Sequence, residues 1–226
     1  DFWDRNDRKA IINALMAAYK SQEANYSGPN PSFHLEGRII NDLCDFISNK
    51  ASHFFTLNQD LFLEKTLRVR LPFLSLPLAP PILENPETCN RLPTNNISLS
   101  HLKASLDLNH PNYFKLHGSI NWLDSETGNV LVIVGGNKID LIEKEPLLKS
   151  YYEYFKEILL LPNQHLLTIG YGFMDTHINR AIIEGIKHKT LNIHIIDTLQ
   201  PRDFSHKMKH IDCTRPTLVK LSDKCK

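Results

Sequence analysis

Glycine and cysteine are both scarce in this 226-residue chain, at nine and four residues. The cysteines stand at 44, 89, 213 and 225, and no two form a C-x-x-C, so a four-cysteine zinc knuckle is not supported. Four scattered cysteines read as the reduced thiols of a cytoplasmic protein rather than as a disulfide framework. No glycine precedes Gly28. There is no run of about 18 apolar residues, so no membrane-spanning helix is expected. The opening Asp1-Phe2-Trp3-Asp4-Arg5 lacks the basic-then-apolar layout of a secretory signal. It also lacks an initiator Met, so the numbering is read as starting inside a longer chain. Neither sign of charge is in excess: 26 Lys+Arg against 25 Asp+Glu give a formal net charge of +1. That balance argues against nucleic-acid binding as the main role. What is present is enough apolar material for a core, 42% of residues, which excludes a disordered chain. The length fits one domain, or one domain with an appendage.

Apolar spacing predicts helices over Asp7–Gln22 and about Leu35–Asn49. A buried strand follows at His53–Asn58, then helical residues Leu61–Arg70. Six of the 13 prolines lie between Pro72 and Pro93, so the stretch from about 71 to 111 is read as an irregular insertion. Short strands are predicted at Tyr113–Gly118, Val130–Val134, His165–Ile169 and Asn192–Ile196. Helices are predicted from Pro146 to about Leu161 and after a cap at Asp175 or Thr176. Residues 201–226 form a basic tail, with one candidate strand at Thr217–Leu221. Several strands are apolar throughout and alternate with helices. The fold class is therefore α/β: a Rossmann-like parallel sheet with helices on both faces, spanning residues 1–200.

In open α/β sheets ligands bind beyond the carboxyl ends of the strands. Three predicted strands end in unusual turns: Thr56-Leu57-Asn58-Gln59-Asp60, Lys115-Leu116-His117-Gly118-Ser119 and Ile169-Gly170-Tyr171-Gly172-Phe173. A fourth ends at Asp197. Together they offer an amide, carboxylates, an imidazole and a glycine-lined backbone, a set suited to a nucleotide with ribose hydroxyls.

Taken in order, T-x-N-x-D, K-L-H-G-S-I-N-W and I-G-Y-G-F-x-D-x-H-I-N resemble the sirtuin-like domain of bacterial anti-phage defence proteins, from about Leu35 to Thr198. The resemblance implies NAD as substrate and cleavage of its nicotinamide–ribose bond, giving nicotinamide and ADP-ribose. It implies that Asn58 positions the attacking water, that Asp60 lies by the nicotinamide and that His117 is the general base on a ribose hydroxyl. Thr56, Gln59 and Gly118 would line the same nucleotide site. Gly170, Tyr171, Gly172 and Phe173 would line the adenosine half, and Asp197 would close its ribose end. The chemistry suits these residue types. Nicotinamide leaves as a neutral molecule, the transition state resembles that of glycoside hydrolysis, and an imidazole can take a hydroxyl proton at neutral pH.

Two features depart from the sirtuin pattern. The Gly-Ala-Gly-x-Ser phosphate loop is missing, and the resemblance places it upstream of Asp1. The zinc module has no counterpart, so no metal is expected and water is favoured as acceptor over a protein deacylation. The alternative is a non-catalytic module that binds NAD or ADP-ribose. The resemblance also implies a homo-oligomer, and a HerA-type ATPase or a sensor domain as partner.

Plainer readings stand beside these. Asn58 and Asp60 can cap the helix that follows them. Gly170 and Gly172 can serve a tight turn. Asp175 and His177 are read as cap and surface residues, and Trp3, Trp122 and the Tyr151-Tyr152…Phe155 group as core or oligomer contacts. The His206-x3-His210-x2-Cys213 spacing and the tail's lysines are read as a solvated surface, with any nucleic-acid contact left open.

Overall fold

The computed structural model describes residues 10–19, 21, 37–67, 71, 76–79, 89–93, 97–188, 191–200 and 202–204. Trp3, the Thr217–Leu221 strand, the His206/His210/Cys213 spacing and nearly all of the basic tail lie outside them. The chain divides into two compact units, Asp1–Tyr151 and Tyr152–Lys226.

The first unit holds α1 (residues 10–19), α2 (Gly37–Lys50), β1 (His53–Thr56), α3 (Phe62–Leu67), β2 (Asn90–Arg91), α4 (Leu99–Ala104), β3 (Asn112–Lys115), β4 (Gly118–Leu123), β5 (Val130–Val132) and α5 (Lys138–Lys144). Helix α6 (Pro146–Leu159) begins there and carries the boundary between the units. Strands β1 and β3 pair in parallel from His53 opposite Asn112 to Thr56 opposite Lys115. β4 pairs in parallel with the two residues of β2 and antiparallel with β5. One core cluster joins Cys44 and Ile47 of α2 to Tyr113 of β3 and to Leu71. A second joins Leu61, Ile120 and Val132, with Ile12, Met16 and Tyr19 of α1 packed on it. Phe55 and Phe114 stack at 4.7 Å, and Tyr151 meets Phe114 edge-on at 5.1 Å.

The second unit holds β6 (His165–Ile169), α7 (Thr176–His188) and β7 (Asn192–Ile196). β6 and β7 are parallel and in register from His165 opposite Asn192 to Ile169 opposite Ile196. Phe173, Ile183 and Phe204 form its core cluster.

The fold is α/β, as the alternation of patterns predicts. The ladders differ from one continuous parallel sheet: among the described residues they fall into three small sheets, of which one is mixed. Within the first unit, the break between β3 and β4 lies at Gly118. It takes φ +77°, so the chain turns after His117 and starts a new strand, and Tyr113–Trp122 is two strands rather than one strand and a loop. The β4–β5 hairpin closes on Asp124, whose Oδ1 accepts from the Glu126 and Thr127 amides and the Thr127 hydroxyl. The proline-rich excursion is also less irregular than its composition implies. It contains β2 and α4, the latter capped by Ser98 Oγ, which accepts from the His101 amide. Trp122 and Tyr151 are fully buried core residues.

Candidate functional site

In the first unit the site is built where two parallel strands end together. Thr56 stands opposite Lys115, and the Leu116 amide donates to the Thr56 carbonyl at 3.0 Å. Asn58 and His117 therefore each lie two residues beyond the last paired residues, on neighbouring strands whose axes run about 4.8 Å apart. The β1–α3 turn is held from within. Thr56 Oγ1 accepts from the Asn58 amide at 3.0 Å, and Asp60 Oδ1 accepts from the Phe62 amide at 2.9 Å, heading α3. The Asn58 side chain is exposed, while Thr56, Gln59 and His117 are buried.

Gln59 ties the turn to both following strands. Its Nε2 donates to the Ile133 carbonyl at 2.7 Å and, at a longer 3.4 Å, to the His117 carbonyl. Its own carbonyl accepts from the Ile120 amide at 2.9 Å. The His117 carbonyl accepts from the Ile133 amide at 2.9 Å, so the backbone that carries the imidazole is pinned. Gly118 has no room for a side chain: a Cβ there would lie 2.2 Å from the Leu131 carbonyl oxygen.

Beneath the turn lies a charged pair absent from the candidate residues. Lys115 Nζ donates to Glu64 Oε1 and to the Asp60 carbonyl, each at 2.5 Å, and both side chains are buried. The sequence offered only a lysine at the end of the short strand Asn112–Lys115, with nothing that pointed to Glu64 as its partner. Burial, with the Glu64 and Asp60 charges, pushes the Tyr113 hydroxyl well above the usual phenol range, so it stays neutral beside the pair. On β4, Ser119 Oγ donates to Asn121 Oδ1 at 2.7 Å, and both residues are buried.

The second unit assembles its candidates separately. Gly170 takes φ +63° at the end of β6, and its amide donates to the Ile196 carbonyl at 2.9 Å. That bond sets Gly170 beside the end of β7, where Asp197 follows. Asp197 Oδ1 accepts from the Leu199 amide at 2.9 Å. A Cβ on Gly170 would meet nothing within 4 Å, so this turn faces open space. Tyr171 OH donates to Asn179 Oδ1 at 2.7 Å, and Asn179 Nδ2 donates to the Phe173 carbonyl at 2.7 Å, closing the Gly170–Phe173 turn onto α7.

Phe173 differs from the other turn residues. Its ring is fully buried against Ile183 and Phe204, so it serves the core. His177 is likewise buried rather than on the surface, with its ring edge-on to Tyr152 and its carbonyl accepting from the Tyr152 hydroxyl at 3.0 Å. Asp175 does act at the start of α7, where its carbonyl accepts from the Asn179 amide.

No described helix is long and apolar enough to cross a membrane. Residues 52–208 match a family model described as a SIR2-like domain. No curated protein matches the chain.

Proposed function

Because the chain belongs to the SIR2-like domain family, whose domains use NAD, we propose that it hydrolyses NAD at the nicotinamide–ribose bond, releasing nicotinamide and ADP-ribose. The observation that carries this reading is the exit of Asn58 and His117 side by side from β1 and β3. In the proposed reaction a water oxygen bonds to the ribose anomeric carbon as the carbon–nitrogen bond breaks. The bonding pair leaves with nicotinamide, which needs no proton because it departs neutral. Asn58, an exposed amide that cannot itself act as a nucleophile, orients the water. His117 accepts a ribose hydroxyl proton, help that is worth roughly 10²–10⁴ in rate; the proton that the attacking water sheds passes to that ribose oxygen, and the imidazolium releases its own proton to solvent. Asp60 lies by the nicotinamide, and Gly170, Tyr171, Gly172 and Asp197 keep the adenosine roles that the resemblance implies.

The reading extends to a Rossmann-like fold, a cytoplasmic homo-oligomer and an anti-phage role through NAD depletion, with a HerA-type ATPase or a sensor domain as trigger. The test is chromatography of NAD incubated with the protein, beside His117→Ala and Asn58→Ala. Nicotinamide and ADP-ribose from the unaltered protein, and at least about 10²-fold less from His117→Ala, support the reading. Equal product from all three contradicts it.

A further inference from the structure

A fully buried lysine is an expensive way to fill space. Lys115 and Glu64 both lie out of reach of water, and their charges must be compensated by each other. Replacing such a pair by apolar side chains of similar volume is often neutral or stabilising, so the pair contributes little net stability. What it does contribute is geometry. Lys115 is the last paired residue of β3, two positions before His117. Its ammonium reaches across to β1's turn, where it holds the Asp60 carbonyl, and to α3, where it holds Glu64. An ammonium has three donors, and these two contacts come from successive parts of one segment, the turn and the first turn of the helix behind it. The Gln59 amide ties that segment to the backbone near His117 from the other side, through Ile133 and His117 itself.

From this arrangement we infer that the buried Lys115–Glu64 pair is a positioning device that fixes the Asn58–Asp60 turn against the end of β3 and so sets the spacing of Asn58 from His117. Neither member is assigned a catalytic role, since both are closed off from solvent. Its effect on turnover rests on the proposed NAD cleavage; its effect on the turn does not. Displacement of a reacting group by about 1 Å costs on the order of 10²-fold in rate, so a small slackening of the turn is enough to be measured.

The experiment compares the unaltered protein with Lys115→Met/Glu64→Leu, which replaces the pair by apolar side chains, and with Glu64→Gln, which keeps the shape and removes one charge. The melting temperature reports stability. Amide hydrogen exchange over residues 57–62, referenced to the β6–β7 ladder, reports the turn, and kcat and KM for NAD report the chemistry. The double variant is expected to melt near the unaltered protein yet exchange at least about tenfold faster in the turn alone. Its kcat is expected to fall about 10²-fold, with KM moving much less. Glu64→Gln leaves the buried Lys115 charge without its partner, so it is expected to melt lower than the double variant while moving both readouts the same way; if it does not fold the double variant carries the test, and if the double variant does not fold Glu64→Gln carries it. Turn exchange that stays unchanged in the double variant while stability holds would overturn the inference, as would an unchanged kcat in a protein that turns over NAD. If the unaltered protein leaves NAD intact, the hydrolase reading fails by itself and the exchange measurement still decides the positioning role.

Discussion

Substituting alanine at Gly118 tests the local geometry on which His117 depends. Two penalties meet there. Its φ of +77° belongs to the left-handed region, which costs an L side chain about 1–2 kcal/mol. The new methyl would also lie 2.2 Å from the Leu131 carbonyl oxygen, a backbone atom held in the β4–β5 hairpin. Relief requires that hairpin to shift, at a cost typical of overpacking, about 1–3 kcal/mol. Gly118→Ala should therefore destabilise the protein by about 2–5 kcal/mol. The chain carries its own controls. Gly170 has φ +63° but open space around its Cβ position, so Gly170→Ala should cost the conformational part alone, about 1–2 kcal/mol. Gly136 has open space and no left-handed φ, so Gly136→Ala should be near neutral. Urea unfolding measures all three, as a fall in midpoint at unchanged slope. The order Gly118, Gly170, Gly136 from most to least destabilised is expected. A Gly118→Ala midpoint equal to that of Gly170→Ala would refute the clash, and with it the tight approach of His117's neighbour to β5.

Glu145 carries a pH dependence. Burial, reinforced by the Asp124 and Glu126 charges and opposed by the Leu147 amide, raises its carboxyl from 4.5 to about 7. A raised carboxyl favours the folded protein when protonated, so its contribution is present below about pH 4.5 and is lost as pH rises toward 7. Discounted for solvent screening, that is at most about 2–3 kcal/mol, and Glu145→Gln should flatten this part of the stability–pH curve in urea titrations; a curve unchanged by the substitution would contradict the assignment. Gly185→Ala in α7 should reverse the usual helix preference for alanine. Its Cβ would lie 2.6 Å from the Leu159 carbonyl oxygen and 3.0 Å from Leu191 Cδ2, so a loss of about 1–3 kcal/mol is expected in thermal melts where an exposed site would gain about 1.

The sequence was legible where one force dominates. β6 and β7 fall on the predicted residues because each is a short apolar run closed by a turn. Helices α2, α6 and α7 fall within a few residues of their predicted ends, because each carries a continuous apolar stripe. Strand β4 was hidden because Gly118 reads as a strand's end, and whether a glycine ends a strand or begins the next depends on its φ, which spacing does not reveal. Helix α4 was hidden among prolines, since one buried residue, Leu102, makes no stripe. At the candidate site, Asn58, Asp60 and His117 came from the family resemblance, and β1–β3 pairing brings the turns that carry them together. The Lys115–Glu64 pair was not legible, because 51 residues separate its members and only the pairing of β1 with β3 makes them neighbours. Phe173 looked like part of an open turn because its neighbours are glycines, whereas its ring points into the core of the second unit.

The most direct test of the central claim is the fate of the oxygen in the product. NAD is incubated with the protein in heavy-oxygen water, and the ADP-ribose is weighed by mass spectrometry as it forms, before its anomeric hydroxyl exchanges. Hydrolysis predicts nicotinamide together with ADP-ribose carrying one heavy oxygen at the anomeric carbon, and at least about 10²-fold less of both from His117→Ala. Nicotinamide release with an unlabelled or cyclic ribose product would show that water is not the acceptor, and would contradict the account.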